Sequence, residues 1–141
     1  MDIVEVNSAA TYQSALITLL QDCVDSGASV GFLPPLTTEE SARYWQGVEA
    51  DLAAGHHRAE VEKLMVLQTA RGKGVGRALM QALEQGAHAA GRSLLVLDTR
   101  AGDVASHLYR QLGYLEAGQI PSFARNADGS LAATVIFYKP L

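Results

Sequence analysis

Cysteine is almost absent: Cys23 stands alone, so no disulfide can close within the chain. A single cysteine of this kind reads as a small core residue, and a reduced, cytoplasmic setting is expected. Long apolar runs are missing too. Nothing approaches the roughly 18 residues that a membrane span needs, so no membrane partner is expected. The opening MDIVEVNSAA has neither the basic start nor the apolar stretch of a secretory signal. An excess of positive charge is also lacking. Eleven Lys and Arg against fifteen Asp and Glu leave a net charge of −4, which speaks against a nucleic-acid partner. There are no repeats, linkers or low-complexity segments. The 141 residues, 48% hydrophobic and 18% charged, fit one globular domain over residues 1–141.

Two familiar phosphate motifs are missing as well. The closing Gly-Lys-Ser/Thr of a P-loop does not occur. Gly72 and Gly74 begin a G-x-G-x-x-G pattern, but Arg77 occupies the place of its third small residue. A metal site finds no support either. His56 and His57 have no Cys or acid at ligand spacing and read as solvated loop histidines, while His88 and His107 read as helix surface.

What is present is a regular alternation of elements. Asp2–Val6 alternates apolar and acidic residues as a short strand does. Leu16, Leu19, Leu20, Cys23 and Val24 recur at helical spacing within Ala9–Asp25. SGASVGF, Ser26–Phe32, ends that helix in a loop that Pro34-Pro35 prolongs. Thr37 and Glu40 form a capping box, and Ala42, Trp45, Val48 and Leu52 mark a helix ending near Gly55. RAEVEKLMVL, Arg58–Leu67, reads as a strand. Val75, Leu79, Leu83, Gly86 and Ala90 stripe a helix that Gly91 stops. SLLVLDT, Ser93–Thr99, has the continuous apolar run of a parallel strand buried on both faces. Asp103–Tyr114 is a short helix ending at Gly113. Tyr114–Ile120 and Leu131–Tyr138 are strands joined by the turn residues Asn126–Gly129.

Between the RAEVEKLMVL strand and the striped helix lies TARGKGVGR, Thr69–Arg77. Strand, glycines and helix in that order make an anion cradle. The first N–H groups of a helix point outward, and its dipole favours negative charge. Glycine lets a phosphate approach the backbone. Arg71, Lys73 and Arg77 add positive charge in an otherwise acidic chain. The spacing that fits is Arg71-x-x-Gly74-x-Gly76.

With this loop in place, the chain resembles the GCN5-related N-acetyltransferases, the GNAT family. Their acetyl-coenzyme A loop reads Arg/Gln-x-x-Gly-x-Gly/Ala between a strand and a helix. RAEVEKLMV resembles the family's central strand, LLVLDT its next parallel strand, and ASHLYRQLGY (Ala105–Tyr114) its helix-to-strand signature. Four motifs in order are far more specific than the loop alone.

The resemblance implies an α/β (α+β) fold of GNAT type. Its central sheet would be mixed and mostly antiparallel, with one splayed parallel strand pair and flanking helices. It implies acetyl-CoA as co-substrate, no metal, and a small-molecule amine as acceptor, acetylated by direct attack. Leu64, Met65 and Val66 would bond the pantetheine arm through their backbone. Arg71, Gly72, Lys73, Gly74, Val75, Gly76 and Arg77 would hold the phosphates. Glu60 and Asp98 are the candidate bases, carried over by position. An ordinary solvated carboxylate, with a pKa of about 4, is a poor base toward an amine near 10, so burial or a water relay is needed. Simple alternation places Glu60 on one face with Glu62, Leu64 and Val66, unless a bulge intervenes. Tyr109 is the candidate acid for the departing thiolate; Tyr114 reads as packing.

One departure from the family stands out. DLAAG runs straight into HHRAEV, where the family carries a strand pair of roughly 25–30 residues with its connections. Between Gly55 and His57 that hairpin is missing. Either the natural protein has residues that this sequence lacks, or the deletion is real. A real deletion bares an edge of the RAEVEKLMV strand and invites a homodimer. The rival function is a non-catalytic coenzyme A-binding or interaction module. A nucleotide-phosphate enzyme is disfavoured by the absent P-loop lysine.

Overall fold

The computed structural model describes residues 1–28, 30–51 and 57–141, the last three residues of the second segment by backbone alone. The chain divides into two compact units, one of residues 1–55 and 65–75, the other of residues 56–64 and 76–141.

The first unit is helical. After a short 3-10 turn, α1 runs Gln13–Asp25, and α2 runs Thr38–Asp51. The capping box starts α2 as expected. The Glu40 N–H donates to Thr37 Oγ1 at 3.2 Å, and Glu40 Oε2 accepts from the Thr37 N–H at 3.1 Å. These reciprocal bonds satisfy helix-end groups that would otherwise have no partner. They also hold the Glu40 carboxyl below the usual carboxylate range, the Thr37 backbone bond contributing most. The core comprises Leu20, Cys23, Val24, Val30, Leu36 and Met65, with Phe32, Tyr44 and Trp45 against it. Cys23 is therefore the core residue its solitude suggests. The end expected for α2, near Gly55, lies outside the described residues, as do His56 and the junction where a hairpin is expected to be missing.

Asp2–Val6 is not a strand. Alternation gives a segment the capacity to pair, but its backbone groups need an edge to bond, and no strand among the described residues takes them up. Ile3, Val4 and Val6 are exposed in consequence.

The second unit is a sheet with helices packed on it. Strands β1 (Arg58–Glu60), β2 (Leu94–Arg100), β3 (Leu115–Arg125) and β4 (Leu131–Pro140) lie in the order β1-β2-β4-β3. Only β1 and β2 are parallel. Helices α3 (Val75–Ala89, its first residue counted with the first unit) and α4 (Val104–Gln111) contribute Met80 and Tyr109 to a core with Leu95, Leu97, Tyr114, Val135 and Phe137. This is the mixed, mostly antiparallel α/β sheet that the sequence implies. The stops fall where glycine predicts them: Gly91 and Gly113 adopt φ of 75° and 85°. In the hairpin turn, Gly129 donates its N–H to Asn126 O at 3.0 Å.

Two strand expectations need correction. β2 is not buried on both faces. Leu95, Leu97 and Thr99 are buried, while Leu94 and Val96 are half-buried and Asp98 is exposed. Nor is Arg58–Leu67 one regular strand. It pairs with β2 only from Arg58 to Glu60, with a last bond from the Val61 N–H to Val96 O at 2.8 Å. Beyond it, Lys63 has φ +55°, a left-handed conformation that breaks the strand's alternation. Ala59, Val61 and Leu64 pack on the same core, a spacing of two and then three. The side-chain parity therefore slips by one at Lys63, and Leu64 does not share a face with Glu60.

Candidate functional site

The first unit carries the glycine loop. A 3-10 turn over Gln68–Ala70 leaves the irregular strand, and α3 begins at Val75. Gly72 and Gly74 adopt φ of +72° and +77°, and a Cβ at either would meet nothing within 4 Å. Glycine is required there by backbone conformation, and open space lies on its bare side.

The three basic residues all have neutral partners. Arg71 Nε donates to Val66 O at 2.9 Å, and one of its terminal nitrogens to Ser26 Oγ at 2.8 Å. Lys73 Nζ donates to Thr69 O at 2.9 Å. In the second unit, Arg77 donates to Gln111 Oε1. The ion pairs among the described residues lie elsewhere, at Arg100–Asp103, Arg110–Glu116 and Lys139–Glu84. Among the described residues, none of the three has an acidic partner.

Of the expected pantetheine contacts, Leu64 packs on the second core while Met65 is buried in the first. Val66 is half-buried, with its carbonyl taken by Arg71.

The candidate acid–base groups belong to the second unit. Glu60 pairs with Val96 across the parallel ladder, and Asp98 follows two residues on. Both carboxylates therefore project from one face of the sheet, one strand apart, and both residues are exposed. Asp98 Oδ2 lies 2.6 Å from Thr134 Oγ1, which also approaches Thr99 O at 3.0 Å. Thr134 is buried, so its hydroxyl holds one oxygen of the carboxylate from a fixed place on β4. Sequence reasoning missed this partner. It sits on a strand 36 positions away, and no local pattern marks it.

Tyr109 lies in the core against Tyr114 and Phe137, with ring centroids 5.9 Å from each. Burial, then the charges of Asp98 and Asp103, push its phenol up to about 12. Tyr114 is buried as expected of a packing residue, and its phenol is raised further, by burial first and then by Glu84. The Tyr114 hydroxyl and Glu84 Oε1 face each other outside strict hydrogen-bond geometry, while Glu84 Oε2 holds Lys139 Nζ at 2.7 Å. His57, His88 and His107 are exposed. Among the described residues no group of three His, Cys, Asp or Glu side chains could hold a metal. A shallow groove beside the β3–β4 turn, lined by Arg100, Asn126 and Asp128, contains none of the predicted residues.

Residues 13–114, which contain both helices of the first unit, the glycine loop, β2 and α4, match the Acetyltransferase (GNAT) family. The chain belongs to the GNAT acetyltransferase family. GNAT enzymes are acyltransferases with acetyl-CoA as co-substrate, and solved structures agree in fold. A ribosomal-protein-alanine N-acetyltransferase from Brucella melitensis aligns at 20% identity over 97% of each chain, with a TM-score of 0.77. An N-acetyltransferase from Staphylococcus aureus Mu50 aligns at 17% identity over 99% of this chain and 97% of that one, with a TM-score of 0.79. A chain from Salmonella typhimurium, solved with its cofactor acetyl-CoA, aligns at 16% identity over 99% and 92%, with a TM-score of 0.77. The GNAT loop here fits that co-substrate chemically: two open left-handed glycines let a pyrophosphate approach the backbone.

Proposed function

We propose that this GNAT protein acts as one catalytic domain that transfers acetyl from acetyl-CoA to the amine of a small molecule by direct attack. The observation that carries the reading is the glycine loop, with Gly72 and Gly74 left-handed and open on their bare side. Gly72–Gly76 receive the phosphates, with Lys73 and Arg77 supplying charge. The backbone at Leu64–Val66 receives the pantetheine arm. Bound acetyl-CoA supplies an acetyl thioester, whose carbonyl is the electrophile.

Glu60 or Asp98 takes the proton of the incoming ammonium through a water relay. Their shared face and Thr134's grip on Asp98 support that assignment. Tyr109 faces the departing sulfur as a neutral donor. Complete proton transfer from a phenol near 12 to a thiolate of pKa about 8.5 would cost roughly 5 kcal/mol. Its contribution is therefore a hydrogen bond rather than a delivered proton. We further propose a cytoplasmic enzyme that works as a homodimer, with neither nucleic acid nor membrane as partner.

For the acceptor class, the segments GASVGF and EADLAAG resemble the tabtoxin resistance protein, an acetyltransferase acting on a β-lactam-containing amino acid. An antibiotic or amino-acid-like toxin is the acceptor class we favour. The test is thiol release from acetyl-CoA across a panel of amino-acid-like amines and amine antibiotics. Amine-dependent release is expected. Coenzyme A binding with silence across the panel would instead identify a binding module.

A further inference from the structure

Arg71 opens the phosphate loop in sequence, and its charge suggests a phosphate ligand. Its side chain is committed elsewhere. Nε holds Val66 O at 2.9 Å, and a terminal nitrogen holds Ser26 Oγ at 2.8 Å and lies 3.8 Å from Cys23 Sγ. The proton balance closes: the Ser26 hydroxyl donates its one proton to Cys23 O at 2.9 Å, so a lone pair is free to accept from Arg71.

Ser26 is the C-cap of α1, and the last turn of α1 has no basic residue of its own. Carbonyl groups at a helix C-terminus attract a cation, and Arg71 brings one from 45 positions away. A second tie runs alongside, from the Gln68 N–H to Asp22 Oδ2 at 3.0 Å. The start of the loop is thus bound to the end of α1 at two points, and to Val66 at a third.

We propose that Arg71 is a positioning residue. It clamps Val66 and the start of the glycine loop to the C-terminal turn of α1, setting the spacing between the backbone that receives pantetheine and the backbone that receives the phosphates. This rests on the acetyl-CoA reading of the loop. A phosphate ligand acts on the phosphates alone, whereas a positioning residue acts on both ends of the coenzyme.

The test titrates coenzyme A and phosphate-free pantetheine separately, by NMR, into wild type, Arg71→Gln, Arg71→Lys and Ser26→Ala. Arg71→Gln should weaken both ligands by the same factor, about tenfold. Arg71→Lys should fail to rescue, because one ammonium cannot reproduce the guanidinium's fixed two-pronged geometry. Ser26→Ala, a mild change that leaves Arg71 in place, should weaken both ligands by about twofold to threefold.

Loss of coenzyme A affinity alone, with rescue by lysine and no effect of Ser26→Ala, would overturn the proposal in favour of a direct phosphate ligand. Folded variants with unchanged affinity for both ligands, but a lower melting temperature, would reduce Arg71 to a structural tie and overturn it equally. Failure of wild type to bind coenzyme A would overturn the acetyl-CoA reading itself, a result the other outcomes cannot mimic.

Discussion

Burial sets what Tyr109 can do. Its phenol titrates near 12 in the folded protein, against about 10 in an unfolded chain. Between those values the unfolded chain has released a proton that the folded chain keeps, so rising pH favours unfolding. The stabilisation is complete below pH 10 and is lost as pH climbs toward 12, on the order of 3 kcal/mol in all. Tyr114 shifts in the same direction and steepens the fall. Tyr109→Phe removes the ionisable group and keeps the ring packing against Tyr114 and Phe137. Urea unfolding between pH 9 and 11.5 should therefore show a shallower loss of stability for the variant than for wild type. At neutral pH the same variant should lose about tenfold to a hundredfold in kcat, with KM for acetyl-CoA within twofold. An unchanged kcat would make Tyr109 a core residue only.

The elements differ in how far the sequence announced them. The capping box, the helix stops at Gly91 and Gly113, and the β3–β4 turn were legible because each depends on neighbours within about five positions. The left-handed residue at Lys63 was not, because lysine has no preference for that conformation and nothing in its local sequence marks it. Asp2–Val6 misled for the converse reason: its local pattern is correct for a strand, but pairing is a long-range property. The candidate site divides in the same way. The loop's glycines and charges could be read directly. The direction of the Arg71 side chain, Thr134's hold on Asp98, and the slip in parity at Lys63 depend on residues distant in sequence or on strain.

That strain is testable. Lys63→Val puts a β-branched residue at φ +55° and should cost about 1–2 kcal/mol, read as a lower urea midpoint. Lys63→Gly should be neutral or stabilising by up to about 1 kcal/mol. Equal midpoints for the two variants would mean that the left-handed conformation is not held in solution.

At the scale of the whole molecule, the sheet has two edges and treats them differently. β3 is interrupted twice, between Glu116 and Gly118 and between Ile120 and Ala124, with Ser122 at φ +55°. Bulges and the imide nitrogen of Pro121 spoil an edge for pairing. β1 has no such protection, and among the described residues no strand covers its outer side. Inward bonds from the Val61 N–H and to His57 O show that alternate residues face β2. Arg58 and Glu60 therefore turn their backbone groups outward. A second copy pairing there would form the proposed homodimer without disturbing the β1–β2 ladder. Light scattering on the purified protein should give twice the chain mass. Arg58→Pro, which deletes one outward N–H and leaves the inward bonds in place, should shift the population toward monomer. A wild-type monomer at every concentration would refute the dimer. A dimer indifferent to Arg58→Pro would move the interface away from β1.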